Sequence, residues 1–288
     1  MKKYTWLIIS SLLFILLCVS VYWNQLQSRA IEAMQNKIAV AEAQLNKLKE
    51  ENIILRSKRI QPTPEIPGVV FTFDDGPFRF YNNGNPINNT EIILDILKSE
   101  GIKAAFFVLG EQYDKKVSGG GESTELYKSW LKRTSQEGHT IAVHSYSHIA
   151  YLKQSKKKME QSINLTIKRI KELTGAEPSD YCRSPYGWIS TEVEKYLGQR
   201  GLKHVYWHIA AEPLNMKTTD QFITHLKSEI DNGMRGIILM HDRHASTYLP
   251  ELIKYLKEKK IRIMPLEEWD AKYGLPQTPH QKQVGAWK

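Results

Sequence analysis

Between about residues 68 and 270, short apolar runs alternate with amphipathic helical patterns, and no other feature of the chain restricts its fold as strongly. Candidate strands lie near 69–74, 103–109, 139–143, 180–183, 203–209, 236–241 and 261–264. Candidate helices near 90–100, 123–137, 155–174, 190–200, 218–230 and 246–258 fill the gaps between them. A strand–helix–strand succession of this kind requires parallel neighbours, wound as an open sheet or as a barrel. Seven strands favour a barrel, closed or incomplete. No internal repeat is evident, and Ser118-Gly119-Gly120-Gly121 reads as a loop and not as a phosphate cradle.

The chain before this region has a different character. Lys2 and Lys3 precede an apolar stretch from Tyr4 to Trp23 that is long enough to span a bilayer as a helix. The two lysines predict a cytoplasmic N-terminus, with the rest of the chain on the extracytoplasmic side of the plasma membrane. Val19-Ser20-Val21-Tyr22-Trp23 lacks the small residues of a cleavage site, so residues 1–23 are expected to stay attached as a signal anchor. Over 24–59 glycine and proline vanish, and Ile31, Met34, Ile38, Ala41, Leu45, Leu48 and Leu55 follow a heptad with Asn52 at an a position. This reads as a coiled-coil stalk, through which the chain would form a homodimer, or as a lone helical spacer. Residues 60–67, containing Gln61-Pro62-Thr63-Pro64-Glu65-Ile66-Pro67, form a linker that cannot continue a helix. The globular domain is expected over 68–273, with a tail over 274–288.

A net charge of +9 suits nucleic acid, anionic membranes or acidic polymers equally well. The run Lys156-Lys157-Lys158 lies on a predicted helix without interleaved aromatics, so no nucleic-acid partner is expected. Only Cys18 and Cys182 occur, which excludes a disulfide framework or a cysteine zinc site.

Polar residues that can carry chemistry sit where the predicted strands end. The run Gly68-Val69-Val70-Phe71-Thr72-Phe73 stops at Asp74-Asp75-Gly76-Pro77, two carboxylates at the barrel end where active sites form, or a capped turn. Adjacent residues at a strand end point in different directions, which would give the two acids different tasks. The strand that starts near His139 runs into a loop or a first helical turn that carries His144 and His148, and on a helical turn their spacing of four would set both imidazoles on one side. Two histidines and a carboxylate make a metal triad with open coordination positions. Arg183, in Tyr181-Cys182-Arg183-Ser184-Pro185-Tyr186-Gly187, can fork onto a carboxylate or form a surface ion pair. His241 ends the run Gly236-Ile237-Ile238-Leu239-Met240 as a strand-end catalytic group or a satisfied core histidine.

In order and spacing, Thr72-Phe73-Asp74-Asp75-Gly76-Pro77, His144-Ser145-Tyr146-Ser147-His148, Arg183-Ser184-Pro185-Tyr186 and Leu239-Met240-His241 resemble the signature motifs of the NodB-type polysaccharide deacetylases, carbohydrate esterase family 4. The resemblance implies a distorted, incomplete (β/α)7 barrel. It also implies one divalent metal ion, Zn2+ or alternatively Co2+ or Ni2+, and removal of N-acetyl groups from peptidoglycan, chitin-like or related amino-sugar polymers. Asp75, His144 and His148 would be the metal ligands, Asp74 the general base oriented by Arg183, and His241 the general acid. Tyr186 would lend a backbone N–H to the oxyanion, and Trp207 and Leu239 would line the acetyl-methyl pocket. Such a set suits the reaction, since an unreactive amide needs a polarised carbonyl, a base for water and an acid for the leaving amine.

The sequence departs from the family pattern at Ala210, where an aspartate supporting the catalytic histidine is expected; Glu212 and Asp242 are the available substitutes. The extended loop Phe78-Arg79-Phe80-Tyr81-Asn82-Asn83-Gly84-Asn85-Pro86 offers aromatics for sugar stacking or for loop packing. A membrane-anchored, non-catalytic sugar-binding or scaffolding protein on the same fold is the alternative reading. A phosphodiesterase or amidase is a third, although those enzymes rely on more carboxylates or on paired metals.

Overall fold

The computed structural model describes residues 68–83, 85–114 and 121–281, together with Met34, Gln35 and Gln44. The expected anchor and linker, and all of the expected stalk except those three residues, lie outside the described residues. No helix among the described residues is long and apolar enough to cross a membrane.

The strands are β1 (Gly68–Asp74), β2 (Phe80–Asn82), β3 (Asn85–Ile87), β4 (Ala105–Val108), β5 (Thr140–Val143), β6 (Tyr181–Cys182), β7 (Lys203–His204), β8 (Ile209–Ala210), β9 (Gly236–His241) and β10 (Arg262–Ile263). The helices are α1 (Asn89–Ser99), α2 (Gly121–Gln136), α3 (Lys156–Thr174), α4 (Thr191–Gln199), α5 (Thr219–Asp231), α6 (Asp242–Glu258) and α7 (Leu266–Tyr273). Eight strands form one sheet in the order β7-β6-β5-β4-β1-β9-β8, with β10 pairing to β1 off this path. Every pairing in it is parallel. Strands β7 and β8 are the two ends of the order, so the predicted barrel is incomplete and opens between them.

That opening divides the expected strand 203–209 in two. Its middle residues spend their backbone groups elsewhere: the Val205 carbonyl accepts from Arg183 Nε at 2.9 Å, and His208 N donates to the Ile237 carbonyl at 2.8 Å. Three further differences concern short elements. The loop 78–86 contains the antiparallel hairpin β2–β3. Helix α6 starts at Asp242, immediately after β9, so His241 is its N-cap. Helix α7 has no counterpart among the predicted helices. Residues 274–281 run back over the domain, where Gln281 N donates to the Ile189 carbonyl at 2.8 Å and His204 Nδ1 meets Thr278 Oγ1 at 3.0 Å.

Alternation along the strands sorts the side chains into two layers. Val69, Phe71 and Phe73 pack outward in a cluster with Leu94, Tyr248 and Leu249 of the helices. Val70 belongs to a second cluster with Phe107, Ala142, Tyr181, Val205, Ile237 and Trp269. Two residues on from members of that inner cluster come Thr72 and then Asp74, His144, Arg183, Trp207, and Leu239 followed by His241. The residues singled out for chemistry therefore continue the inner face beyond its apolar floor.

Gly236, at the start of β9, has φ +108°, and an added Cβ would lie 2.5 Å from His208 Nδ1. That nitrogen accepts from Ile237 N at 3.0 Å, so the ring cannot swing aside without losing this partly buried bond. Gly236→Ala should destabilise the fold by about 2–4 kcal/mol, from overpacking and backbone strain together. Equilibrium urea unfolding would measure this, and a loss below about 0.5 kcal/mol, the range of an ordinary surface change, would contradict it.

Candidate active site

Asp74, the last residue of β1, is 3 % exposed. Arg183, fully buried, donates from Nη1 to Asp74 Oδ1 at 2.6 Å and to Thr72 Oγ1 at 3.0 Å. Its guanidinium lies 4.0 Å over the Phe107 ring. Burial pulls the guanidinium down in pKa and Asp74 opposes that pull. An arginine charge in such a place needs a carboxylate partner, and the pairing leaves Asp74 Oδ2 facing His144 Nε2 at 3.6 Å.

Asp75 does not diverge from Asp74 as strand alternation suggests. Its backbone is left-handed, with φ 69°, and this turn brings its carboxylate to the same imidazole. Asp75 Oδ1 lies 3.4 Å from His144 Nε2 and 3.1 Å from His148 Nε2, and no protein donor is aligned on it. The Arg243 guanidinium ion-pairs with the other oxygen, Oδ2. Burial works against the carboxylate, but His144 and His148 hold it well below the usual range.

The two histidines meet through a loop, the other of the two expected arrangements. Residues 144–150 form no helical turn; Ser145 (φ 68°) and His148 (φ 55°) are left-handed, and the loop they shape sets the ring centroids 5.3 Å apart. His144 Nδ1 donates to the Arg183 carbonyl at 2.9 Å, which fixes the tautomer and leaves the Nε2 lone pair facing Asp75. One ligand atom from each of Asp75, His144 and His148 lies within 4.8 Å of the others. Two imidazoles, one carboxylate with a buried oxygen lacking a donor, and a backbone carbonyl behind one ring make a donor set that fits a single divalent ion.

Across the β1–β9 ladder, Asp74 is paired in register with His241. His241 Nδ1 donates to Glu212 Oε2 at 2.5 Å, and Glu212 Oε1 accepts from His241 N at 3.3 Å and from the Tyr248 hydroxyl. Burial lowers the pKa of His241, but Glu212, with Asp74 and Asp75 adding to it, outweighs burial and the net direction is upward. Glu212 therefore occupies the supporting place left open by Ala210. Asp242 does not. It is fully buried, accepts from Thr90 Oγ1 at 2.5 Å, and is pushed up to about 7 by desolvation. Gly76 permits that burial, since a Cβ there would lie 2.3 Å from Asp242 Oδ2.

Three expected residues remain. Tyr186, at φ 63°, is 57 % exposed, and its ring centroid is 4.8 Å from that of His148. Trp207 stacks on Tyr206 at 4.0 Å and lies 5.7 Å from the Arg183 guanidinium. Leu239 is buried and registers with Thr72 on one side and Ala210 on the other. Arg243, Thr90 and Tyr248 belong to the site without being foreseen. Arg243 carried one usable signal, its position two residues beyond His241.

Glu212 makes a testable pH statement. A histidine held above its ordinary pKa stabilises the fold fully below its unfolded value of about 6.5, and that contribution is lost as pH rises through the folded pKa. Glu212→Gln should lower the titration midpoint of His241 and remove this acid-side stability, read by NMR of the imidazole without added zinc. An unchanged or raised midpoint would contradict the assignment.

Residues 61–205 match the family model described as polysaccharide deacetylase. The peptidoglycan-N-acetylglucosamine deacetylase PgdA of Listeria monocytogenes serotype 1/2a is 28% identical over 224 residues, covering 74% of this chain and 43% of that protein. The peptidoglycan-N-acetylmuramic acid deacetylase PdaC of Bacillus subtilis is 27% identical over 246 residues, covering 84% of this chain and 46% of that one. The chain thus spans less than half the length of these two curated relatives. The solved structure of the Bc1960 peptidoglycan N-acetylglucosamine deacetylase superposes with a TM-score of 0.58 at 26% identity, covering 71% of this chain and 89% of the other. Four motifs gathered at the strand ends and a family match over half the sequence converge, and the chain belongs to the polysaccharide deacetylase family, the NodB-type enzymes of carbohydrate esterase family 4.

Proposed function

We propose that this chain is a divalent-metal-dependent N-deacetylase that releases acetate from a polymer of N-acetylated amino sugars, with peptidoglycan as the polymer that its named relatives favour. The observation that carries the reading is the juxtaposition around Asp74. A carboxylate held on one oxygen by a buried arginine stands beside the Asp75, His144 and His148 cluster and opposite His241.

A divalent ion held by Asp75, His144 and His148, with zinc, cobalt or nickel all suited to the donors, supplies Lewis-acid polarisation of a carbonyl oxygen and acidification of water. The protein's own groups do the rest. Asp74, with Oδ1 committed to Arg183, uses Oδ2 to take a proton from the water that adds to the acetyl carbon. Glu212 holds the Nδ1 proton of His241, so Nε2 is the nitrogen left to deliver a proton to the amine as the C–N bond breaks. Since Glu212 raises the pKa of that imidazole, it is protonated at a higher pH than a free histidine. The backbone N–H of Tyr186 stabilises the developing oxyanion. Trp207 and Leu239 wall the acetyl methyl.

The two N-terminal lysines followed by an apolar stretch support a location on the outer side of the plasma membrane, where such polymers lie. Acetate release from zinc-loaded protein on acetylated peptidoglycan tests the reading. Asp74→Ala should cut the rate by about 10²–10⁴-fold and keep one bound zinc, whereas His144→Ala should lose the zinc. Wild-type acetate release by Asp74→Ala would remove Asp74 as the base.

A further inference from the structure

The rim beside His148 carries a row of side chains that the deacetylation chemistry leaves unused. Tyr186 meets His148 edge-on at 4.8 Å, Trp188 lies 5.0 Å beyond Tyr186, and Lys153 Nζ sits 4.2 Å over the Trp188 ring. Tyr186 is the costly member. A left-handed backbone is unfavourable for a non-glycine residue, and a ring 57 % exposed recovers little of that cost by burial. Folding alone gives no reason to hold an aromatic ring there.

The row is also rigid. Lys153 ends the short 3-10 turn Tyr151–Lys153, and Trp188 follows the turn Pro185–Gly187. Buried Ser184 ties the two together, accepting from Tyr151 N at 3.0 Å and donating to the Trp188 carbonyl at 2.6 Å. The Tyr151 hydroxyl in turn accepts from Ser145 N at 3.2 Å, inside the loop that carries His144 and His148. The cation, both rings and the metal-ligating loop are therefore one braced unit, whose ammonium packs on an aromatic face while Lys153 as a whole stays exposed.

We infer that the exposed Tyr186 ring is the floor of a second sugar subsite, next to the sugar being deacetylated, and that Lys153, held beyond it on the Trp188 ring, pairs with a carboxylate carried by the neighbouring unit. This rests on the deacetylase reading and adds a preference to it: an acidic glycan binds better than a neutral one. The carboxylate has two sources, an acidic substituent on the sugar itself or a peptide attached to it.

Steady-state acetate release by the full chain loaded with zinc separates them, using neutral chitooligosaccharide, a peptide-free glycan whose alternate sugars carry carboxylates, and the same glycan with its peptides. Lys153→Met should raise KM about two- to fivefold on an acidic glycan, the worth of one exposed ion pair, with kcat unchanged and the neutral substrate unaffected. Lys153→Arg should keep the wild-type KM. A rise already present on the peptide-free glycan assigns the carboxylate to the sugar, and a rise only on the peptide-bearing glycan assigns it to the peptide. Equal KM for wild type and Lys153→Met on both acidic glycans, or the same rise on the neutral one, overturns the inference. No acetate from the wild type on any substrate sinks the deacetylase reading instead.

Discussion

Six consecutive residues of β1 pair in parallel register with β9, and this ladder sets the geometry of everything above it. It brings Asp74 level with His241 and keeps both on the inner face, because strand alternation repeats every two residues. A slip of one residue would turn Asp74 outward among the helices and bury Phe73 where a carboxylate is needed. The outward residues prevent that slip. Phe71 and Phe73 are fully buried against the helical layer, and Thr72 Oγ1 donates to the Ile238 carbonyl at 2.8 Å, pinning the register from the inner side.

Charge compensation explains why the buried polar groups differ in behaviour. Burial drives His204 down to about 3 and both His139 and His208 to about 4, keeping those rings neutral as structural acceptors. The partly buried His241 also feels desolvation but moves the other way, because Glu212 bonds to it and neighbouring carboxylates add to the effect. Arg183 and Asp74 compensate each other in the same manner, and Asp75 stands between two imidazoles and Arg243. Each compensating partner comes from a different strand end, so the open end of the sheet both supplies the charges and neutralises them.

Much of this was legible in the residues. The alternation of apolar runs with helical patterns predicted the parallel sheet, and its incompleteness appears as the gap between β7 and β8. The strand-end positions of Asp74, His144, Arg183 and His241 followed from periodicity, since all four continue an apolar inner face. What stayed hidden depends on backbone geometry that no periodicity encodes. The left-handed turns at Asp75, Ser145 and His148 decide that both acids and both histidines converge, and none of the three is a glycine that would have advertised a positive φ. The choice of Glu212 over Asp242 is likewise a matter of the third dimension, because β8 lies beside β9 and puts Glu212 within reach, whereas Asp242 turns away into α6 toward Thr90. The hairpin β2–β3, three residues per strand and rich in asparagine, has too little apolar alternation to be read.

The central claim is that Asp75, His144 and His148 grip one divalent ion at the open end of this sheet. Zinc K-edge X-ray absorption on the full chain loaded with one equivalent of zinc addresses it directly. The account predicts a nitrogen and oxygen shell at about 2.0–2.1 Å with the scattering pattern of two imidazoles and no sulfur. A zinc ion bearing no imidazole, or one bound through the sulfur of Cys18 or Cys182, would contradict it.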